Sequence, residues 1–344
     1  MDFKDIIKRN YESLSGKAKQ WCRYAFHYTD ISNAVEILSS GMLYSRNLAL
    51  KAELMHNDNA SRQVIDCTKS DVTDCVRFYF RPLTPTQYYN EGFKHKDIRY
   101  ENDVNANVPV PIFFVFNLDK LLHGYGIGFS EQSLAGNGCE CLSTVEEFAA
   151  LDFDKIYSYG FTEDRTITKY RHAEIITAEK YNNDESLSYI ICRNTLERKY
   201  LLQALQRKNK EAYEKYIGKI FVSKKENMFY CNGLHIDDCI CINNHLYINF
   251  SNVYKRKRYA LKIMKKTRRE KLDAVREKLC FEWFDKSTSL KKAYLQGNID
   301  YLNVNYQNIK LPVVEGAESL RVKIYIEEAL MCDVELDIGK GEVY

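Results

Sequence analysis

This chain of 344 residues contains little proline and glycine, 5 and 15 residues respectively, and only 2 tryptophans. So little proline and glycine argues against a disordered or low-complexity chain. No window approaches the roughly 20 apolar residues that a membrane span requires, and the first residues do not read as a signal peptide. We therefore expect a well-ordered cytoplasmic protein without membrane contact.

Several signatures of common enzymes are also missing. The chain has no GxxxxGK[ST] phosphate loop, no HExxH zinc helix and no GxSxG elbow. The 11 cysteines are an odd number, and the close pairs, Cys139/Cys141 and Cys239/Cys241, are separated by one residue rather than the two to four of usual zinc sites. We expect reduced thiols and no metal.

Tyrosine, by contrast, is abundant at 26 residues, which favours a globular protein rich in strand. Length favours two domains, and the pattern changes to short strands near residue 232. We predict a first domain over 1–232 and a mainly-β accessory domain over 233–344 that carries a basic helix.

The net charge of +3 conceals a basic segment at residues 255–278, which holds twelve lysines and arginines against Glu270, Asp273 and Glu277. Such a concentration of charge is a candidate contact for a polyanion, and the alternative is a solvated helix face. The residues that begin this segment are candidate nucleic-acid contacts: Lys255, Arg256, Lys257 and Arg258.

Hydrophobic patterns predict the main elements of the first domain. A strand should end near His27, followed by a helix that Asp30 or Ser32 caps and Gly41 ends. The apolar run 108–122 is predicted as the central strand, the glycine-rich segment after it as a mobile loop, and Leu196–Tyr216 as one amphipathic helix.

A few polar residues lie at the edges of predicted strands. Glu174, in "TKYRHAEIIT", stands where a strand begins, and a carboxylate there either faces solvent or enters a site. Tyr79, in "RFYFRP", is either half-buried core or a stacking surface. Arg62 and Arg81 are surface residues or anion contacts, and His27 at a strand end is structural or functional.

Taken in order, these segments resemble the DarT family of bacterial ADP-ribosyltransferase toxins that modify bases in single-stranded DNA. The resemblance runs from about residue 24 to residue 232. It rests on "FHYTDISNAVEILSSGMLYSRN", "NASRQVI", "CVRFYFRPLTPTQYYNEG", "PIFFVFNLDKLL", "LDFDKIYS" and "YRHAEIIT". It implies an α+β fold with an ADP-ribosyltransferase-like split β core and helices.

The resemblance also implies roles for individual residues, with NAD as co-substrate and no metal. Glu174 and Arg62 would be catalytic. The residues expected to bind NAD are His27, Tyr28, Thr29, Tyr79 and Arg81. The residues expected to face the nucleic acid are Lys169, Arg171 and His172.

The sequence thus favours an NAD-dependent mono-ADP-ribosyltransferase toxin that modifies a base in single-stranded nucleic acid, DNA by resemblance, in a toxin–antitoxin or phage-defence context. An antitoxin is the expected protein partner. One alternative is the modification of RNA bases, and a protein acceptor stays open. A second is a non-catalytic nucleic-acid-binding protein with a degenerate NAD pocket.

Overall fold

A computed structural model describes residues 2–58, 70–103, 106–135, 139–223, 228–268 and 271–338. The α-helices are α1 Phe3–Ser13, α2 Gly16–Trp21, α3 Ile31–Ser40, α4 Arg46–Lys51, α5 Ser70–Thr73, α6 Pro85–Asn90, α7 Leu118–Leu122, α8 Val145–Ala150, α9 Phe153–Ile156, α10 Arg165–Tyr170, α11 Asn183–Ser186, α12 Thr195–Lys208, α13 Lys210–Tyr216 and α14 Val253–Thr267. Short 3-10 helices occupy Lys96–Ile98, Tyr100–Asn102 and Ile217–Lys219.

The first half of the chain contributes most of the strands of a seven-stranded sheet. The strands are β1 Tyr24–Asp30, β2 Met42–Tyr44, β3 Val76–Tyr79, β4 Pro111–Asn117, β5 Gly128–Ser130, β6 Glu174–Thr177, β7 Lys180–Asn182, β8 Leu187–Cys192, β9 Ile220–Val222, β10 Ile236–Ile242, β11 His245–Phe250, β12 Val275–Asp285, β13 Thr288–Ile299, β14 Tyr306–Lys310, β15 Ser319–Ile326 and β16 Ala329–Asp337. The order in the large sheet is β5-β6-β3-β1-β4-β8-β9.

The apolar run predicted as the central strand forms β4, which is buried from Pro111 to Phe116. The middle position belongs to β1 instead, and β4 is its neighbour, paired with it along seven residues. Apolar content marks a strand as buried on both faces, but it does not distinguish two adjacent buried strands. The prediction was therefore wrong by one place in the sheet.

Helix boundaries followed local signals where a cap is present. The Asp30 side chain accepts a hydrogen bond from the Ser32 backbone N–H, and Gly41 ends α3 with a φ of 71°, as predicted. The single helix predicted over 196–216 is two helices, because the Asn209 backbone is extended and its side chain caps α13. Within the described ranges, no helix is both long and apolar enough to cross a bilayer.

Two other segments differ from the predicted pattern. The glycine-rich segment after residue 122, predicted as a mobile loop, contains β5, whose Gly128–Ser130 backbone pairs with β6. The basic helix ends at Thr267, where Arg268 adopts a left-handed conformation, and the chain re-enters a strand at Val275. The basic segment 255–278 is therefore part helix and part strand.

The C-terminal part forms two further antiparallel sheets, β10-β11-β14 and β13-β12-β15-β16. Their inward residues join the same apolar core as the large sheet. Helix α12 packs on β16, where the Gln203 side chain hydrogen-bonds both backbone groups of Glu335. The prediction of an α+β chain with a β-rich C-terminal part is confirmed.

Residues on either side of the predicted boundary at 232 are packed closely together. Phe93 and Leu234 exchange two backbone hydrogen bonds of 2.8 and 2.9 Å. Beside them, a Cβ atom on Gly233 would lie 2.5 Å from the Glu91 carbonyl oxygen and 2.8 Å from the Gly92 carbonyl carbon. Only glycine allows this approach of two backbones.

We therefore expect Gly233→Ala to lower the free energy of unfolding by about 1–3 kcal/mol, because the neighbouring atoms are backbone and cannot move aside. Gly218→Ala is the matched control, since a Cβ there meets nothing within 4 Å. Urea unfolding of both variants measures the difference. Equal midpoints would show that the junction tolerates a wider separation.

Candidate active site

A cleft opens in the large sheet where β1 and β3 separate. These strands are paired at Phe26 and Tyr79, whereas β1 and β4 are paired along the full length of β1. The His27 ring lies at the opening, and its Nδ1–H donates to the Arg77 carbonyl at 3.0 Å. Burial lowers the pKa of His27 below its ordinary value, so the imidazole is neutral near pH 7.

One wall of the cleft comes from β1 and α3, and another from residues 54–58. Asn33 joins them: its side chain donates to the Thr29 hydroxyl at 3.2 Å and the Asn57 carbonyl at 2.7 Å, and accepts from the backbone N–H of His56 at 2.8 Å. The polar side chains that line the cleft include His27, Tyr28, Thr29, Asn33, Glu36, Tyr44, Arg46, Asn57, Asp58, Arg77 and Tyr79.

Beside the cleft, Arg77 and Glu174 form an ion pair. The register of β3 against β6 places Tyr79 opposite Glu174, and alternation brings Arg77 to the same face. The Arg77 Nη2 donates to both Glu174 carboxylate oxygens at 2.7 Å, and the Leu134 backbone N–H donates to Oε2 at 3.1 Å. The Glu174 side chain is 2% exposed and is not among the described residues that line the cleft, whereas its partner Arg77 is.

The charges of this pair act on neighbouring groups. Burial lowers the pKa of Arg77, but the Glu174 carboxylate more than offsets this, and the net pKa is raised. Burial, followed by the Glu174 charge, raises the pKa of Tyr79 to about 12. Burial, followed by the charges of Arg77 and Arg81, lowers the pKa of His172 to about 4. At neutral pH both the tyrosine and the histidine are uncharged.

Two polar atoms that belong to residues lining the cleft are buried without a hydrogen-bond partner among the described residues. They are the Tyr28 hydroxyl and the Arg77 Nε. An unpaired buried donor is unfavourable by about 1–3 kcal/mol, so such atoms are expected where a ligand completes the hydrogen bonding. The cleft therefore has unused hydrogen-bonding capacity for a polar ligand.

Other residues predicted from the sequence to bind NAD or nucleic acid hydrogen-bond a neighbouring loop. Arg81 is 2% exposed and lies outside the cleft lining, because its guanidinium donates to the carbonyls of Pro82, Ile156 and Ser158. Arg171 donates to the Ser158 hydroxyl and to the Gly160 carbonyl.

The remaining residues that the sequence predicts to contact nucleic acid differ in exposure. Lys169 belongs to the last turn of α10, five residues before Glu174. Arg256 is fully buried and donates to the Ser251 carbonyl and hydroxyl and to the Val304 carbonyl. Lys255 and Lys257 are half-buried and Arg258 is exposed. Arg62 lies outside the described residues.

Sequence reasoning missed Arg77. The available signal was its position two residues before Tyr79 in a strand, which places both side chains on one face. In the described part of the chain, no cluster of three or more histidine, cysteine or carboxylate side chains could hold a metal ion.

Comparison with known proteins supplies the family. The model of the family described as "ssDNA thymidine ADP-ribosyltransferase, DarT" matches residues 26–230. No curated protein sequence matches the chain significantly.

Similar solved structures include Thermus sp. 2.9 DarT in complex with carba-NAD+, at 15% identity and a TM-score of 0.46 over 60% of this chain and 98% of that one. The same DarT in complex with ADP-ribosylated ssDNA matches at 15% identity and 0.45, over 60% and 96%. Thermosipho africanus DarTG in complex with ADP-ribose matches at 12% and 0.44, over 64% and 54%. Because the family model covers more than half of the chain, this protein belongs to the DarT family of ADP-ribosyltransferases.

Proposed function

We propose that this protein transfers ADP-ribose from NAD to a thymidine base in single-stranded DNA, with Glu174 as the catalytic carboxylate. The observation that carries the assignment is the buried Arg77–Glu174 pair beside a cleft that His27 and Tyr79 line. The matched family residues, 26–230, include all four of these side chains. Membership of an enzyme family also favours catalysis over the non-catalytic alternative.

The reaction requires a carboxylate near the ribose. The bond between C1′ and the nicotinamide nitrogen breaks, its electron pair leaves with nicotinamide, and the ribose becomes oxocarbenium-like. A carboxylate beside that carbon stabilises the developing positive charge. The base nitrogen then bonds to C1′, and its proton is transferred to Glu174 as general base.

The cleft offers partners for the rest of NAD. The Tyr28 hydroxyl and the Arg77 Nε, both buried and without a hydrogen-bond partner in the described part of the chain, suit the ribose and phosphate oxygens. The neutral His27 ring and Thr29 would orient the adenosine-side ribose, and Tyr79 would pack against the nicotinamide. Arg62, which lies outside the described residues, is proposed from the family resemblance alone as the catalytic arginine that contacts a phosphate of NAD or of the DNA strand.

Arg77 is proposed as a positioning residue for Glu174. Its guanidinium neutralises the buried carboxylate and fixes its orientation through two hydrogen bonds. The Glu174 Oε1 accepts one of these bonds and has a second lone pair, so it can accept a ribose hydroxyl while Arg77 stays bound. An anionic diphosphate in the cleft would bind other N–H groups of the same guanidinium.

The acceptor base is proposed to enter over the segment that precedes β6. Phe161 is 87% exposed there, beside Gly160 with its φ of 90°. Arg81 and Arg171 fix residues 156–160 through backbone carbonyls, so Arg81 is better assigned to positioning this loop than to binding NAD. Lys169 and the neutral His172 would then lie on the DNA side of the site.

We also propose that the protein acts in the cytoplasm as a toxin restrained by an antitoxin, in a toxin–antitoxin or phage-defence context. The resemblance to the DarT toxins is what suggests this context. RNA modification is retained as an outcome of the experiment below.

Glu174→Gln is expected to reduce ADP-ribose transfer by about 100- to 10,000-fold, because the amide neither stabilises the cationic ribose nor accepts a proton. Mass spectrometry of matched DNA and RNA oligonucleotides after incubation with NAD measures the product, the polymer and the base. Glu146→Gln, an exposed change on α8, is the control.

Glu174→Asp keeps the negative charge beside Arg77 but shortens the side chain, and it should also be inactive while retaining NAD binding. Transfer by either Glu174 variant at the wild-type rate would overturn the catalytic assignment. Labelling of RNA in preference to DNA would overturn the assignment of the acceptor.

Arg77→Met is expected to lower kcat for transfer by about 100-fold or more, because Glu174 loses its oriented partner. Arg77→Lys should recover part of this loss, since it restores the charge without the planar guanidinium. Steady-state kinetics separates this role from NAD binding: kcat should fall more than the KM for NAD rises. A change confined to KM would instead restrict Arg77 to contacting NAD and would overturn its role in positioning Glu174.

A further inference from the structure

The helix α14 lies beyond the residues that match the family model, and it carries most of the lysines and arginines of the basic segment 255–278. One stripe faces the core and consists of Arg256, Tyr259, Ala260, Ile263 and Met264. The opposite face is exposed, and it includes Tyr254 and Leu261, which are 70% and 58% exposed. Burial of this stripe is enough to pack the helix against the core. Packing therefore does not explain which residues occupy the exposed face.

Four exposed residues follow one another at intervals of four along that face: Tyr254, Arg258, Lys262 and Lys266. Like charges at this spacing destabilise a helix. Partial burial, followed by the charges of Lys266 and Arg258, lowers the pKa of Lys262. These cations therefore repel one another, and a polyanion would relieve the repulsion.

The helix is held in a defined orientation by Tyr259. Its hydroxyl donates to the carbonyls of Tyr89 and Ile98 at 3.3 and 3.2 Å. The Lys94 Nζ lies 3.9 Å from the centre of its ring and donates to the Asn232 side chain. Because these contacts are buried, the basic face has a fixed direction relative to α6.

Helix α6 connects this face to the candidate active site. The Lys262 Nζ lies 4.8 Å from the centre of the Tyr88 ring, and Tyr88 belongs to α6. Thr86, two residues earlier and so about 3 Å along the helix axis, is near enough to Tyr79 to lower its pKa slightly against the larger effect of burial. Lys262, the third residue of the row, is therefore connected to the cleft lining through α6.

We propose that Arg258, Lys262 and Lys266, with Tyr254, bind the single-stranded DNA outside the modified thymidine. The cations contact successive phosphates and the exposed tyrosine stacks on a base, the combination that proteins use to bind single strands without sequence preference. This proposal rests on the proposed function, since it assumes that the acceptor reaches the cleft from the α6 side.

The test compares the full-length wild type with the triple variant Arg258→Gln, Lys262→Gln, Lys266→Gln. Lys4→Gln, Lys8→Gln, Arg9→Gln on α1 is the control, with the same composition and full exposure. Fluorescence anisotropy with a labelled single strand of about 20 nucleotides, over a range of salt, reports binding, and transfer is compared on that strand and on one of about 4 nucleotides.

Loss of three phosphate contacts should weaken binding of the long strand by roughly 10- to 100-fold near 0.1 M salt and reduce the slope of log K against log salt by about 2. Transfer to the short strand should stay within about two-fold of wild type, as should both readouts for the α1 control, because neither change alters the catalytic cleft.

Wild-type binding by the triple variant at every salt concentration would overturn the proposal. An acidic protein would then be the expected partner of the basic face of α14. An equal loss on the short strand would also overturn it, since the helix would then act on the site itself. If the wild type binds the long strand but modifies neither, the proposed function fails, and the anisotropy of the triple variant still decides the role of α14.

Discussion

The Arg77–Glu174 ion pair is the interaction on which the site depends. A buried carboxylate is strongly unfavourable unless it is paired and hydrogen-bonded, and Glu174 meets this requirement through Arg77 and the Leu134 backbone N–H. The pair in turn requires β3 and β6 to be adjacent in one register, with Tyr79 opposite Glu174. A shift of one residue would direct the carboxylate to the other face of the sheet.

A second buried network links this sheet to the C-terminal part. The Glu91 carboxylate accepts from the backbone N–H groups of Tyr230 and Cys231 at 2.8 and 2.7 Å and from the Gln87 side chain. Arg193 lies 3.8 Å from it and pairs with Glu197. Since Gln87 lies in α6 and Glu91 directly follows it, the segment that leads into the C-terminal sheets is attached to the helix beside the cleft. Catalytic core and accessory strands are therefore mechanically connected.

The local features were accessible from sequence because they depend on neighbouring residues. The cap and the end of α3, the strand that begins at Glu174 and the ordered motifs of the DarT family all lie in short continuous segments. The basic character of residues 255–278 was equally visible. Its functional content was not, since charge alone does not distinguish the buried Arg256 from the exposed Arg258.

The sequence by itself determined the fold class, the family and the strand that carries the catalytic candidate, because periodicity and motif order survive without knowledge of distant contacts. Only the tertiary structure decided that Arg77 pairs with Glu174, 97 residues away, and that Arg81 instead fixes a loop. Such pairings depend on the register of strands far apart in the chain. That register is set by the burial of the whole sheet, which no local segment of the sequence contains.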